Sequence, residues 1–398
     1  MNVVIPAHYV GKTCLLSVTL APRPPLGRKL HGQPQRAATG FPVNIVRRRK
    51  APVNALGVRA QDGASWEQYE AACQEGNLRS ALQALDRLRA EGAFSQRIKP
   101  QLDIENCAPR NKLAILNLCA SPGSEGMVSD LFNLLREVGL LPSFGVSRST
   151  VQSIRRVAPD ELQRSTGLSP SAFSPSKGKS RLLTLSVIAA ISLAYSFRLQ
   201  GFAAGLVLSL ASLVTLDSVM AEGYFLGRLL DLVPGRRERV AVHEAGHLVA
   251  AYLLGFPIRA VIMDPGQAAA AGLAGTAGTL FWSKSLEEGL RAGQISVEEF
   301  NAYNVVIFAG IAAEAIRYGR AEGGGSDVDI YESLAGAFQP PWPRERVSNN
   351  ARWAVSEAVK LLRDNEVAFN KTWTLLADKE STLADCVCVL EQNIPVKK

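Results

Sequence analysis

The segment RVAVHEAGHLVAAYLLG, residues 239–255, restricts the fold more than any other part of the chain, because it combines an apolar helical run with a His-Glu-x-x-His pattern. In a helix, His243 and His247 lie one turn apart on the same face, with Glu244 adjacent. Two imidazoles at that spacing can bind one tetrahedral zinc ion and leave a position for water. Zinc lowers the pKa of that water to about 7, and Glu244 stands where metalloproteases place the proton-accepting carboxylate.

The number of histidines supports zinc over two ordinary histidines on an amphipathic helix. The chain has four, and His8 and His31 lie near the N-terminus, so the rest of the chain keeps only the pair in the motif. Gly246 is unexpected inside a helix, where glycine costs about 1 kcal/mol relative to alanine. We therefore expect another segment to approach the metal closely at this position.

A carboxylate or a cysteine must supply the third ligand, because no third histidine remains outside the N-terminal segment. Asp327 is the best candidate on local grounds. It follows a run of three glycines and Ser326, a turn that leads into a helix start, where a carboxylate is favoured with or without a metal. The other candidates are Asp264, Glu287, Glu288, Asp329, Cys386 and Cys388.

The basic charge of the chain is concentrated in residues 1–61, which hold ten Lys or Arg and no acidic residue. The other 34 basic residues face 36 acidic ones, so the body offers no electrostatic basis for nucleic-acid binding. Residues 1–61 are rich in Pro, Arg and Gly without a long apolar core, which indicates an organellar transit peptide. Their apolar opening favours the chloroplast over the mitochondrion; the alternative is a basic arm that is not removed.

The six cysteines are scattered and show neither zinc-ribbon nor redox spacing, so we expect reduced, buried thiols. Residues 62–164 form a predicted N-terminal helical region. Within it, residues 65–92 have helical periodicity interrupted at Gly76, and residues 126–143 repeat the pattern, with Ser129 or a neighbour opening the helix and Gly139 near its end. These units resemble pentatricopeptide or tetratricopeptide repeats, but their small number favours a helical cap over a partner-binding platform.

A membrane hairpin is predicted at residues 182–216, after a Ser/Pro/Gly-rich linker at 165–181. Two uncharged runs, 182–197 and 201–216, flank Arg198, and each is short against the roughly 20 residues that usually span a bilayer. A single span would bury that arginine, so two short, closely packed helices suit the sequence better, and basic residues on both flanks place both ends on one side. The alternative is a buried helical pair in a soluble domain.

Residues 236–390 resemble the peptidase domain of FtsH-type zinc metalloproteases. The sequence around the histidines is similar to the family's active-site helix, and AGIAAEAIRYG at 309–319 is similar to its GGRAAEE…FG helix. GGGSDVDI at 323–330 stands at the place of TGASND, whose aspartate is the third zinc ligand, and residues 375–391 are similar to the closing helices.

This resemblance implies that His243 and His247 are zinc ligands and that Glu244 is the general base. The spacing admits Asp327 or Asp329 as the third ligand; we expect Asp327. The chain departs from the family at Ile311, where the family has an arginine, and it lacks the ATPase module that precedes the peptidase in FtsH proteins. Its one GKT sequence, at residues 11–13, lies in the predicted leader and has proline where a phosphate loop needs glycine. The pattern is most similar to plant plastid FtsH-like proteins without the motor.

The expected fold is mainly α, a helical zincin-type FtsH peptidase domain at residues 230–398 with a small β element, preceded by the membrane hairpin and the helical region. The expected function is zinc-dependent proteolysis of membrane-associated or unfolded proteins at the thylakoid or inner envelope membrane. Partners would be protein substrates, motor-bearing FtsH subunits or further copies of the chain. Residues 259–266 are expected to supply an edge strand for extended substrate.

Three alternatives remain open at this point. The first is a non-proteolytic zinc-fold scaffold or assembly factor that partners FtsH-type proteases, against which the intact Glu244 argues. The second is an intramembrane protease, which would require the motif inside a membrane span, whereas four charged residues at 236–239 precede it. The third is a protein-binding helical-repeat module, whose binding would survive loss of zinc.

Overall fold

The computed structural model describes a mainly α-helical protein, as predicted. The described residues are 2–3, 60–92, 112–121, 124–151, 153–175, 192, 201, 205, 209, 235–270, 277–281, 283–292, 296–336, 338–378 and 381–395. Apart from a few of these positions, the predicted leader and the predicted membrane hairpin lie outside them. Across the described ranges, no helix combines the length and apolar character needed to cross a membrane.

The predicted N-terminal helical hairpin is confirmed. Helices α1 (Ala60–Gln74) and α2 (Leu78–Ala90) pack against each other. Gly76 has a φ of 76° and makes the turn between them. The side chain of Asn77 accepts a hydrogen bond from the backbone N–H of Ser80 and so caps α2. The helix break therefore lies where the sequence indicated it.

The next helix, α3 (Glu125–Glu137), begins earlier than predicted. Its N-cap position is held by Ser124, whereas Ser129 lies within the helix and is buried. Gly139 follows the helix with a φ of 78°, as expected for a residue that ends a helix. The predicted N-cap serine thus lies five residues after the observed one, more than a full helical turn.

The first half of the predicted linker is folded onto the body. Helix α4 (Pro159–Thr166) ends at Gly167, which has a φ of 70°, and a 3₁₀ helix follows at Pro170–Phe173. Ala172 is buried, and its carbonyl accepts a 2.8 Å hydrogen bond from the N–H of Ala321. A composition rich in Ser, Pro and Gly here encodes short turns rather than an unstructured connection.

The remaining helices include one that lies in the interior of the protein. They are α5 (Arg236–Leu253), α6 (Pro265–Ala270), α7 (Lys284–Ala292), α8 (Val297–Tyr318), α9 (Gly325–Gly336), α10 (Arg344–Asp364), α11 (Glu366–Ala377) and α12 (Leu383–Asn393). Two further 3₁₀ helices lie at Ala114–Leu118 and Arg148–Val151. Helix α8 is buried along every face from Phe300 to Ala315, packing against both α5 and α10, while α11 packs on α5. A helix whose side chains are mainly apolar on every face belongs in the interior.

The N-terminal helical region and the C-terminal helices share one hydrophobic core. The backbones of Gly145 and Gly255 touch, and both residues have positive φ values, of 73° and 76°. Beside this contact, the N–H groups of Gly145 and Ser147 donate 2.9 Å hydrogen bonds to the carbonyls of Tyr252 and Leu253. The region is therefore packed onto the end of α5, the helix that carries the histidines.

Strands are short in the described part of the chain. Strand β1 (Asn2–Val3) pairs with β4 (Phe338–Gln339), and β2 (Ile258–Ile262) pairs with β3 (Gly278–Phe281), both antiparallel. The strand predicted at 259–266 ends at Ile262, because the side chain of Asp264 accepts hydrogen bonds from the next N–H groups and starts α6. The small predicted β element is present but shorter.

None of the four described cysteines forms a disulfide bond. Three of them are buried, and burial raises the pKa of Cys386 to about 12. A thiol with such a pKa stays protonated near neutral pH and does not bind metal readily. This agrees with the expectation of buried structural thiols.

Candidate metal centre

Helix α5 places His243, Glu244 and His247 in the interior of the protein. From Ala241 onward, all but one of its side chains, that of His243, are buried, so the histidine pair faces other helices rather than solvent. Gly246 provides the expected close approach. A Cβ at this position would lie 2.4 Å from the carbonyl oxygen of Ala309, so only glycine lets α8 pack so near.

The two imidazoles converge with one carboxylate. The Nε2 atoms of His243 and His247 are 3.0 Å apart, and Oδ2 of Asp327 lies 3.1 Å from the first and 3.5 Å from the second. Among the described residues, these three form the group of metal-binding side chains that lie close enough to share one ion. The structure thus brings together the three predicted ligands.

Asp327 reaches this position from the first turn of α9. The preceding Gly324 has a φ of 90°, and a Cβ there would lie 2.4 Å from Cγ1 of Ile311. The glycine turn therefore folds tightly over α8 and directs Asp327, which is only 5% exposed, at the histidines. Asp329 is exposed on the same helix and is not part of the group.

The other candidate ligands lie elsewhere. Asp264 caps α6, and Glu287 and Glu288 are on α7, the former buried and the latter exposed. Cys386 and Cys388 are buried in α12. None of the five belongs to the group around the histidines.

The histidine tautomers follow from the acceptors that face their Nδ1 atoms. Nδ1 of His247 lies 2.8 Å from the carbonyl oxygen of Val306, and Nδ1 of His243 lies 2.8 Å from Oε1 of Glu314. A carbonyl and a carboxylate only accept, so each Nδ1 carries its proton and donates. When both imidazoles are neutral, as metal binding requires, both Nε2 atoms present lone pairs toward Oδ2 of Asp327, and a shared cation satisfies all three.

The donor set fits zinc. Three ligands about 2.0–2.1 Å from a tetrahedral ion lie about 3.3 Å from one another, close to the three observed separations. Gly310 borders the same space, because a Cβ there would lie 2.5 Å from both Nε2 atoms. Two nitrogens and one oxygen with an open fourth position are typical of catalytic zinc.

The charges of the centre depend on one another. Burial alone would raise the pKa of Asp327, but the two histidines hold it well below its usual range. Burial lowers the pKa of His243, whereas its hydrogen bonds to Asp327 and Glu314 raise it well above the usual value. The ionised carboxylate of Asp327 therefore lies beside a positively charged His243. A bound divalent cation would supply that positive charge as well.

Glu244 lies beside the centre, and its side chain is held by the β2–β3 hairpin. It is 6% exposed, and its Oε2 atom accepts a 2.8 Å hydrogen bond from the hydroxyl of Thr279 on β3. The charge of the Glu244 carboxylate also raises the pKa of His243, so this carboxylate lies near the three converging side chains. The contact with Thr279 was not foreseen.

Sequence reasoning also missed the residues that orient His243. Glu314 is 1% exposed, and its carboxylate accepts hydrogen bonds from His243, from Arg239 at 2.9 Å, and from the N–H groups of Glu322 and Gly323. The guanidinium of Arg239 stacks on Tyr318, 4.3 Å from the ring centroid. Glu314 could have been suspected from its place in the AAEA sequence, but nothing local pointed to Arg239.

This network predicts the effect of Arg239→Met. The substitution keeps an apolar side chain against Tyr318 but removes the charge that holds Glu314, so His243 should lose its fixed orientation. We expect zinc affinity to fall about 10- to 100-fold, measured by competition with a chromogenic chelator.

Arg317→Met is the matched control. Arg317 is also an arginine of this helical core, paired with Glu238 at 3.6 Å and stacked on Trp373, but it is half exposed and does not contact Glu314. Its loss should change zinc affinity less than about twofold. Equal affinities in the Arg239 variant and the wild type would contradict the orienting role.

Comparison with known proteins found no matching family model, no matching curated protein and no matching solved structure. The similarity to FtsH-type peptidases therefore rests on the motifs given above.

Proposed function

We propose that this protein is a zinc-dependent endopeptidase of the FtsH type that works without an ATPase motor of its own. The observation that carries the proposal is the convergence of His243 Nε2, His247 Nε2 and Asp327 Oδ2 beside the carboxylate of Glu244. Three protein ligands and an adjacent carboxylate are the requirements of metal-assisted peptide hydrolysis.

Each residue has a defined task in this reaction. His243, His247 and Asp327 would hold zinc, which supplies a Lewis acid that polarises a carbonyl and acidifies water. Glu244 takes a proton from the attacking water molecule while the oxygen of that water bonds to the peptide carbonyl carbon. As the C–N bond breaks, Glu244 returns that proton to the leaving amine. Glu314 and the carbonyl of Val306 keep both Nε2 atoms available.

The substrates we infer are unfolded, short or partner-delivered proteins at a plastid membrane, because a peptidase that works without a motor cannot unfold its substrates. The resemblance to FtsH peptidases and the composition of residues 1–61 support this location. Strand β3 lies beside the base, which supports binding of an extended substrate at the β2–β3 hairpin. Motor-bearing FtsH subunits or further copies of the chain are the partners that the proposal allows.

The direct test is proteolysis by the full chain, purified in detergent, of an unfolded protein such as β-casein without ATP. We expect cleavage with one equivalent of zinc, loss of cleavage after treatment with a chelator, and recovery when zinc is restored. Gel electrophoresis and mass spectrometry of the products follow the reaction.

A zinc-loaded chain that does not cleave casein would contradict motor-independent proteolysis. It would favour the alternative, a zinc-fold scaffold or a subunit that acts beside a motor-bearing protease. A chain that binds no zinc would contradict both.

A further inference from the structure

Strand β3 fixes one residue against Glu244. Its side chains alternate, so that Thr279 and Phe281 face the buried side while Gly278 and Leu280 face the other. Phe281 packs against Phe256 and Tyr303, with ring centroids 5.9 and 5.4 Å away. This aromatic contact anchors the strand and holds the 2% exposed Thr279 at a set distance from α5.

The hydroxyl of Thr279 meets Glu244 at two atoms. It lies 2.8 Å from the side-chain Oε2 and 3.2 Å from the main-chain carbonyl oxygen. A threonine hydroxyl has one proton to donate, and the shorter distance, to an acceptor that is charged when ionised, favours Oε2. A glutamate has three rotatable side-chain bonds, and this hydrogen bond limits their freedom.

We propose that Thr279 is a positioning residue for Glu244, an inference that rests on the proposed function. The hydroxyl holds Oε2 so that Oε1 remains as the atom that exchanges the proton with water and with the leaving amine. Among the described residues, no hydrogen bond to Oε1 competes for it. Positioning of a base within hydrogen-bond reach of its proton is a large part of general-base catalysis.

The test compares Thr279→Val, which keeps the shape and removes the hydroxyl, with Thr279→Ser, which keeps the hydroxyl. In casein cleavage by the zinc-loaded full chain, we expect the valine variant to lose about 10- to 100-fold in kcat with KM changed less than about threefold. The serine variant should retain most of kcat. Zinc content should equal that of the wild type in both.

A double-mutant cycle separates positioning from a structural role. If Thr279 acts through Glu244, adding Thr279→Val to Glu244→Gln should lower the residual rate no further. Thr372→Val is the matched control, because Thr372 is fully buried and its hydroxyl donates to the carbonyl of Ala368, in α11. This control should keep the wild-type kcat.

A second readout does not depend on proteolysis. Acetohydroxamate binds zinc through two oxygens and shares a proton with a neighbouring carboxylate, so its affinity reports the placement of Glu244. We expect Thr279→Val to weaken acetohydroxamate binding as Glu244→Gln does, and Thr279→Ser to preserve it.

These outcomes are distinguishable. A wild-type kcat in Thr279→Val, additive losses in the cycle, or no rescue by serine would overturn the positioning role. If no variant, including the wild type, cleaves casein while zinc is bound, the proposed function fails, and acetohydroxamate affinity alone decides whether Thr279 positions Glu244.

Discussion

Glu244→Gln should slow proteolysis to a small residual rate while zinc remains bound. Glutamine has nearly the shape of glutamate but cannot accept a proton from water, so the reaction loses its base. Loss of a general base lowers kcat about 100- to 10,000-fold. Because Glu244 is not one of the three converging ligands, zinc content by atomic absorption should stay at the wild-type level. Casein cleavage by the two proteins, each loaded with one equivalent of zinc, measures the effect.

Glu238→Gln is the matched control on the same helix. Glu238 is 42% exposed in its side chain and interacts with Arg317 and Tyr318 at the protein surface, away from the histidines. Its neutralisation should leave kcat within about twofold of the wild type. Comparable cleavage by Glu244→Gln and the wild type would contradict the assignment of Glu244 as the base.

Gly310→Ala should destroy the metal centre. A Cβ at this position would lie 2.5 Å from the Nε2 atoms of His243 and His247, and 2.7 Å from Cδ2 of His243. Real Cβ atoms do not approach so closely, so the rings must turn away or α8 must shift. We expect zinc affinity to fall more than about 100-fold, beyond the effect of removing an outer hydrogen-bond partner. Chelator competition measures this, and circular dichroism follows the fold.

The control for this substitution is Gly126→Ala. Gly126 is exposed within α3, and a Cβ there meets no atom within 4 Å. Alanine at an open helical position should stabilise the protein by about 0.5–1 kcal/mol and leave zinc affinity unchanged. If Gly310→Ala folds and binds zinc as tightly as the wild type, the centre does not lie where the two Nε2 atoms meet.

Local patterns were sufficient for much of the helical structure. The break between α1 and α2 was predictable because Gly76 and Asn77 are strong local turn and capping signals. The histidine pair was predictable because the four-residue spacing has one outcome in a helix. By contrast, the start of α3 and the end of β2 were displaced, since each depends on which of several polar residues near the boundary serves as the cap.

The candidate metal ligands show the limit of reasoning from local patterns. Asp327 and Asp329 are two residues apart in similar surroundings, and only the fold of the glycine turn over Ile311 separates the buried one from the exposed one. The contact between Arg239 and Glu314 could not be predicted for the same reason, because 75 residues separate the two in the sequence. In the sequence, Arg239 indicated only one of the basic residues that flank the predicted membrane hairpin.

The sequence by itself determined a mainly α-helical protein, the positions of the N-terminal hairpin and of the helix carrying His243, Glu244 and His247, and the chemistry those three side chains make available. Only the tertiary structure decided which residues surround them. Asp327, Glu314 and Thr279 meet this helix across separations of 84, 71 and 35 residues. Helical periodicity acts over a few residues, whereas these contacts depend on how α8, α9 and β3 pack on α5, which no local pattern encodes.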